Sequence, residues 1–106
     1  MGISTHVLDA VRGRPAAGLG VRLERRSSGG WEEVARRVTD ADGRVADLCA
    51  EASAGDHRLT LDTEAYLGPQ AFYPEVVVVF RITAGAASCH VPVLLSAYSY
   101  TTYRGS

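Results

Sequence analysis

Short runs of alternating apolar and charged residues, cut at regular intervals by turns rich in Gly, Pro and Asp, predict an all-β fold. The expected architecture is a two-sheet antiparallel β-sandwich with one short helix. Three observations carry it. Residues 21–26 (Val-Arg-Leu-Glu-Arg-Arg) alternate at period two, and Ser27-Ser28-Gly29-Gly30 turns them back into residues 31–38, so the two runs pair antiparallel. Residues 75–83 are rich in β-branched side chains and apolar on both faces, as in a strand covered twice. Helix signals are confined to residues 62–69, where Asp62 supplies an N-cap, Gly68 a stop and Pro69 a block to continuation.

Taken in order, residues 5–9 (Thr-His-Val-Leu-Asp) form a short first strand. Gly13, Pro15 and Gly18 then break regular structure into a turn or loop. After the hairpin, Thr39-Asp40-Ala41-Asp42-Gly43-Arg44 is a turn in which Asp side chains accept from nearby backbone amides, Gly43 takes a positive φ, and Arg44 leaves at a fixed angle. The Asp40-x-Asp42-Gly43 fragment lacks the spacing and the later Glu of a calcium loop, so a structural turn is the better reading. Residues 55–61 alternate again, with His57, Leu59 and Leu61 on one face. Residues 84–88 turn the chain into a closing pair of strands, residues 90–95 and 98–103, which gives seven or eight strands in all.

A chain of 106 residues makes one domain, residues 1–106, with a core large enough to fold alone. Eleven basic against twelve acidic residues, a formal charge of -1, give no electrostatic reason to expect nucleic acid or an anionic membrane as partner. No apolar run approaches the roughly 18 residues needed to span a bilayer. The start, Met1 to His6, lacks the basic and apolar pattern of an export signal, so a cytoplasmic chain with Cys49 and Cys89 as reduced thiols is expected. The two-faced apolar strand at residues 75–83 calls for a second partner, and another subunit is a plausible one.

Alternation also sorts the polar residues. His6 shares a face with Leu8, and His90 with Pro92, Leu94 and Ser96; if their strands are neighbours, the two imidazoles meet at one end of one sheet. Singly, each has an ordinary reading: a hydrogen-bonded strand histidine, or, for Arg44, a solvated charge after a turn. His57, between Asp56 and Arg58, keeps that ordinary reading. Three histidines leave zinc as an alternative, although no pair has the close spacing of the familiar metal motifs. The tail Tyr103-Arg104-Gly105-Ser106 directly follows a strand, which suggests that the end is tied into a site.

Several segments together resemble the 5-hydroxyisourate hydrolases, the transthyretin-related enzymes of urate breakdown. They are Ser4-Thr5-His6-Val7-Leu8-Asp9 with Gly13-Arg14-Pro15-Ala16, the Thr39-Asp40-x-Asp42-Gly43-Arg44 turn, and Phe72-Tyr73-Pro74-Glu75 leading into a Val-rich strand. The last is His90-Val91-Pro92-Val93-Leu94-Leu95-Ser96 ending in Tyr103-Arg104-Gly105-Ser106. The likeness covers nearly the whole chain, and its terminal tetrapeptide marks the hydrolases against the hormone-carrying transthyretins.

The resemblance implies a homotetramer, a dimer of dimers, with sites in a channel between dimers. It implies hydrolytic opening of the six-membered ring of 5-hydroxyisourate to 2-oxo-4-hydroxy-4-carboxy-5-ureidoimidazoline, without metal or organic cofactor. Carried over, the catalytic residues are His6, Arg44, His90 and Ser106, and the substrate-binding ones His6, Arg44, Tyr103, Arg104 and Gly105. These residue types suit the reaction. Water attack on a ring carbonyl needs a base near neutrality; a neighbouring Arg keeps an imidazole neutral and stabilises the developing oxyanion. The terminal Ser106 hydroxyl and carboxylate would position water or a His, with no acidic third member to mark Ser106 as a nucleophile. A transthyretin-like carrier that binds a flat ligand without turnover is the alternative.

Overall fold

In β1, Ile3–Asp9, every second side chain is buried: Ile3, Thr5, Val7 and Asp9 face inward, and Ser4, His6 and Leu8 face out. The same alternation organises the computed structural model, which describes residues 2–85 and 88–105. After β1 come β2 (Arg14–Pro15), β3 (Gly20–Ser27), β4 (Gly30–Val38), β5 (Arg44–Cys49) and β6 (Gly55–Leu61). The helix α1 (Thr63–Leu67) precedes β7 (Val76–Ile82), β8 (Cys89–Leu95) and β9 (Tyr100–Thr102). One sheet runs β2-β1-β8-β9 with β5 also paired to β1; the other runs β4-β3-β6-β7.

The sandwich expected from the sequence is present, with two refinements. The stretch expected as a plain loop after β1 includes β2, two residues that pair Pro15 with Leu8 and Arg14 with Asp9 at a sheet edge, where the missing N–H of proline is tolerated. Among otherwise antiparallel pairs, β1 and β8 run parallel, from Ile3↔Cys89 to Asp9↔Leu95. A parallel pair needs a long connection rather than a hairpin, and here the connection passes through the whole second sheet.

Turn chemistry behaves as the residue types dictate. The β3–β4 hairpin closes at Ser27↔Gly30. Asp62 caps α1 by accepting from the Ala65 amide, and the helix stops at Gly68, φ 110°. The closing pair is shorter than expected: Ser96 N–H donates to the Ser99 carbonyl in a turn, and β9 starts only at Tyr100.

The inward faces meet in one core that includes Ile3, Val7, Leu19, Leu23, Leu59 and Val93. Leu23 and Leu59 are cross-strand partners and fully buried, so truncating either to Ala costs about 2–5 kcal/mol. Buried polar groups are tied down. Thr5 Oγ1 donates to the Val91 carbonyl at 2.6 Å and stitches β1 to β8. Asp9 accepts from the amides of Val11 and Arg12 and from the Tyr66 hydroxyl, linking α1 to β1. Burial works to raise the Asp9 carboxyl, but these donors outweigh it and hold it below the usual carboxylate value. His57 has the ordinary role read for it. It is buried, stacks on Phe80 at 5.7 Å and lies with Nδ1 3.1 Å from the Gly55 carbonyl; burial lowers its pKa.

Candidate active site

Three adjacent strands of the first sheet bring the predicted residues to its outer face. In the register of β1 with β5, His6 stands opposite Arg44. In the parallel register with β8, His6 stands opposite Pro92 and Ser4 opposite His90, so both imidazoles project from the same side one repeat apart. The tail reaches the same place: Gly105 bridges to His90, with its amide donating to the His90 carbonyl at 2.8 Å. His6, Arg44, His90 and Gly105 therefore converge on one face.

Each is held by local chemistry. Asp40 Oδ1 accepts from the amides of Asp42 and Arg44, both at 2.9 Å, and fixes the turn that aims Arg44. Gly43 in that turn has φ 75°, and a Cβ there would sit 2.3 Å from the Val7 carbonyl oxygen, so the turn packs directly on β1. The Asp42 carbonyl lies 2.9 Å from His6 Nε2. A carbonyl only accepts, so Nε2 carries the proton and Nδ1 of a neutral His6 is left with the lone pair. At Gly105, a Cβ would meet His90 Cδ2 at 2.6 Å. Any side chain there would displace the imidazole.

His90 is half-buried, and its Nδ1 lies 2.8 Å from Ser4 Oγ. Burial lowers its pKa first, the Arg44 charge second and His6 third, against a smaller opposing effect of a hydrogen bond with the Ser4 backbone. A neutral imidazole beside an unneutralised guanidinium is the result: Arg44 has no ion pair among the described residues. The arrangement offers a base at neutral pH and a cation for a developing oxyanion. Among the described residues no group of three His, Cys, Asp or Glu stands close enough to hold a metal ion.

Two predicted residues go elsewhere in the single chain. Tyr103 and Arg104 line a mostly apolar cavity of about 220 Å³ at the open edge between the sheets, with Val78, Phe80, Cys89 and Val91. Burial pushes the Cys89 thiol up, which keeps it protonated; Cys49 and Cys89 are both free. Ser106 lies outside the described residues. Ser4 was missed as a site residue although it is one alternation from His6; only the parallel register, set by β8, reveals it as the partner of His90.

Comparisons with known proteins extend over nearly the whole chain. The HIUase/Transthyretin family matches residues 3–105. The chain is 45% identical to a mouse protein named 5-hydroxyisourate hydrolase, over 98% of this chain and 94% of that one. Among solved structures, sea bream transthyretin in complex with thyroxine aligns with a TM-score of 0.91 at 33% identity, covering 99% of this chain and 95% of that one. Klebsiella pneumoniae 5-hydroxyisourate hydrolase aligns at 0.87 and 34%, each chain covered completely. With the family's model spanning all but its ends and relatives alike along its whole length, this chain belongs to the HIUase/Transthyretin family.

Proposed function

We propose that this chain hydrolyses 5-hydroxyisourate in urate degradation, with His90 as general base, Arg44 as oxyanion stabiliser, and His6, Ser4 and the tail as positioning groups. The chain is a hydrolase on the strength of its full-length relatives, which favour it over a carrier. The observation that carries the residue roles is the half-buried His90, held between Ser4 and the charge of Arg44 and kept neutral by both burial and that charge. With Ser4 accepting from Nδ1–H, the Nε2 lone pair of His90 takes a proton from water as it attacks the ring carbonyl. The guanidinium of Arg44 meets the negative charge that appears on the carbonyl oxygen, and His90 returns the proton to the departing ring nitrogen. Ser106 completes the tail in this reading.

The active form we propose is a homotetramer, a dimer of dimers, working in the cytoplasm with reduced thiols. Two features support assembly. β7 and β9 are sheet edges, and the outward Val77 and Val79 of β7 are 40% and 55% exposed. The His6–Arg44–His90 cluster also lies on an open sheet face, where water screens charge, and a facing subunit would exclude it. No helix of the described residues is long and apolar enough to cross a membrane.

The test follows the decay of freshly generated 5-hydroxyisourate by absorbance, with and without EDTA, alongside light scattering. Expected are accelerated decay, no effect of the chelator, and a mass about four times 11.3 kDa. Absence of turnover would overturn the reaction. Zinc-restored activity after chelation would overturn the cofactor-free reading, and an active monomer the interface site.

A further inference from the structure

The outer face of the second sheet, on the far side of the sandwich from His6 and His90, carries a row of three polar side chains across three strands. Arg22 of β3 pairs with Arg36 of β4 on one side and Thr60 of β6 on the other. Together with Arg37 they line a groove of about 490 Å³ whose other rim carries Asp62 and Glu75. Thr60 is 9% exposed, and neither its hydroxyl nor the buried Nε of Arg22 has a hydrogen-bond partner among the described residues. The nearest carboxylate to that Nε, on Glu24, is 3.7 Å away, beyond hydrogen-bond reach. At that distance Glu24 forms an ion pair with Arg22 but no hydrogen bond, and its hydrogen bond comes from Arg58 at 2.8 Å. Buried polar groups are almost always paired, so two unpaired donors in one groove mark a place for an acceptor from outside the chain.

We propose that this groove binds a small carboxylate that carries N–H donors of its own, of the class of amino acids and carbamoyl amino acids. Its carboxylate accepts from Arg22 Nε–H, the Thr60 hydroxyl and the guanidinium of Arg36, whose own Nε is already on Glu33 at 2.9 Å. Its N–H groups donate to the carboxylates of Asp62 and Glu75. Asp62 has capacity to spare, since its cap contact is a single bond at 3.3 Å. A phosphate dianion matches the arginines but not the other rim, where it meets two like charges and brings no donors. A plain carboxylate leaves the acidic rim unserved. The site is independent of the hydrolytic reading, because none of these residues belongs to the first sheet.

The test titrates N-carbamoylglycine, acetate and inorganic phosphate separately into ¹⁵N-labelled full-length protein and follows amide shifts. Expected is saturable N-carbamoylglycine binding in the millimolar range, about −4 kcal/mol, with shifts centred on Arg22, Arg36 and Thr60 and weaker binding of the other two. Arg22→Gln should weaken it roughly tenfold, and the isosteric Thr60→Val by about threefold or more. Turnover of 5-hydroxyisourate should stay unchanged in both, which separates failure of this site from failure of the active site. If Arg22→Gln does not fold, Thr60→Val alone decides. No saturable shift, phosphate binding as tightly as N-carbamoylglycine, or affinity unchanged by the substitutions would each overturn the proposal.

Discussion

The two outer faces of the sandwich use arginine in opposite ways. On the second sheet the guanidiniums are mostly matched to carboxylates: Arg58 to Glu24 at 2.8 Å, Arg81 to Asp56 at 2.8 Å, and Arg36 to Glu33 at 2.9 Å. Arg26 and Arg58 also lie over the Trp31 ring at 4.5 and 4.6 Å. On the first sheet Arg44 faces two imidazoles and no carboxylate within ion-pair distance among the described residues. A matched arginine spends its field on its partner, as shown by Glu24, whose carboxyl is held low chiefly by the hydrogen bond from Arg58. An unmatched arginine leaves that field to its surroundings, where it lowers the neighbouring His90 and remains available to a substrate oxyanion. Composition treats all these arginines alike; what separates them is which residues the register sets beside each.

The largest effects should come from the unmatched face. His90→Ala, Arg44→Ala and His6→Ala are each expected to reduce kcat/KM by roughly 10²-fold or more, with melting temperatures near that of the parent. All three leave the inward faces intact, and pairs should cost less than the product of the single effects if the groups act together. Steady-state rates paired with thermal melts check this. A variant that loses rate only by unfolding would break the contrast between the faces. Gly105→Ala should also lower the rate, by roughly tenfold or more through displacement of His90, and His90→Ala should remove that sensitivity because the ring it collides with is gone.

Stability comes next, and it concerns the scaffold that aims Arg44. Gly43→Ala imposes a left-handed φ on a residue with a Cβ and drives that Cβ against the Val7 carbonyl. A loss of about 1–3 kcal/mol is expected by chemical denaturation. Asp40→Ala removes one acceptor shared by two amides and should cost about 1–2 kcal/mol. Both should lower activity more than their stability loss explains, since Arg44 leaves this turn.

How far the site could be read in advance depended on range. The Asp40–Arg44 turn, the α1 cap and the β3–β4 hairpin were legible because they are decided by side chain to backbone bonds within a few positions. That His6 and His90 share an outward face was legible from alternation alone. Their convergence was conditional on β1 lying beside β8, strands joined through another sheet, and no local pattern states that pairing or its parallel sense. Ser4 became visible as the partner of His90 only through that register. Tyr103 and Arg104 were expected at the site, but in the single chain they line the cavity at the sandwich edge, because β9 ends at Thr102 and, among the described residues of the tail, Gly105 alone bridges back to His90.

The smallest effects should be shifts in pH dependence, and they sharpen the comparison most finely because they read the field of Arg44 itself. Folding holds His90 below its ordinary value, so the neutral base persists to lower pH than a free imidazole would allow. Arg44→Gln removes the second-largest cause of that shift. It should raise the pKa of His90 and move the acid limb of kcat/KM to higher pH, on top of any loss in rate. Stability carries the same sign. With His57 and His90 both depressed, the unfolded chain binds more protons in the interval below the ordinary histidine value, so folding weakens as pH falls through it and levels off below the folded pKa values. His57 contributes to that loss without touching activity. Arg44→Gln should therefore lessen the part due to His90 and leave the part due to His57. By contrast Arg81→Gln, on the matched face, should leave the activity profile where it was, because its charge is engaged by Asp56 on the neighbouring strand of the same sheet, away from His90. Titration of the two imidazoles by NMR in the parent and these variants decides it: if Arg81→Gln moves His90 as much as Arg44→Gln does, the field at His90 is the sum over the whole protein and the distinction between the faces fails.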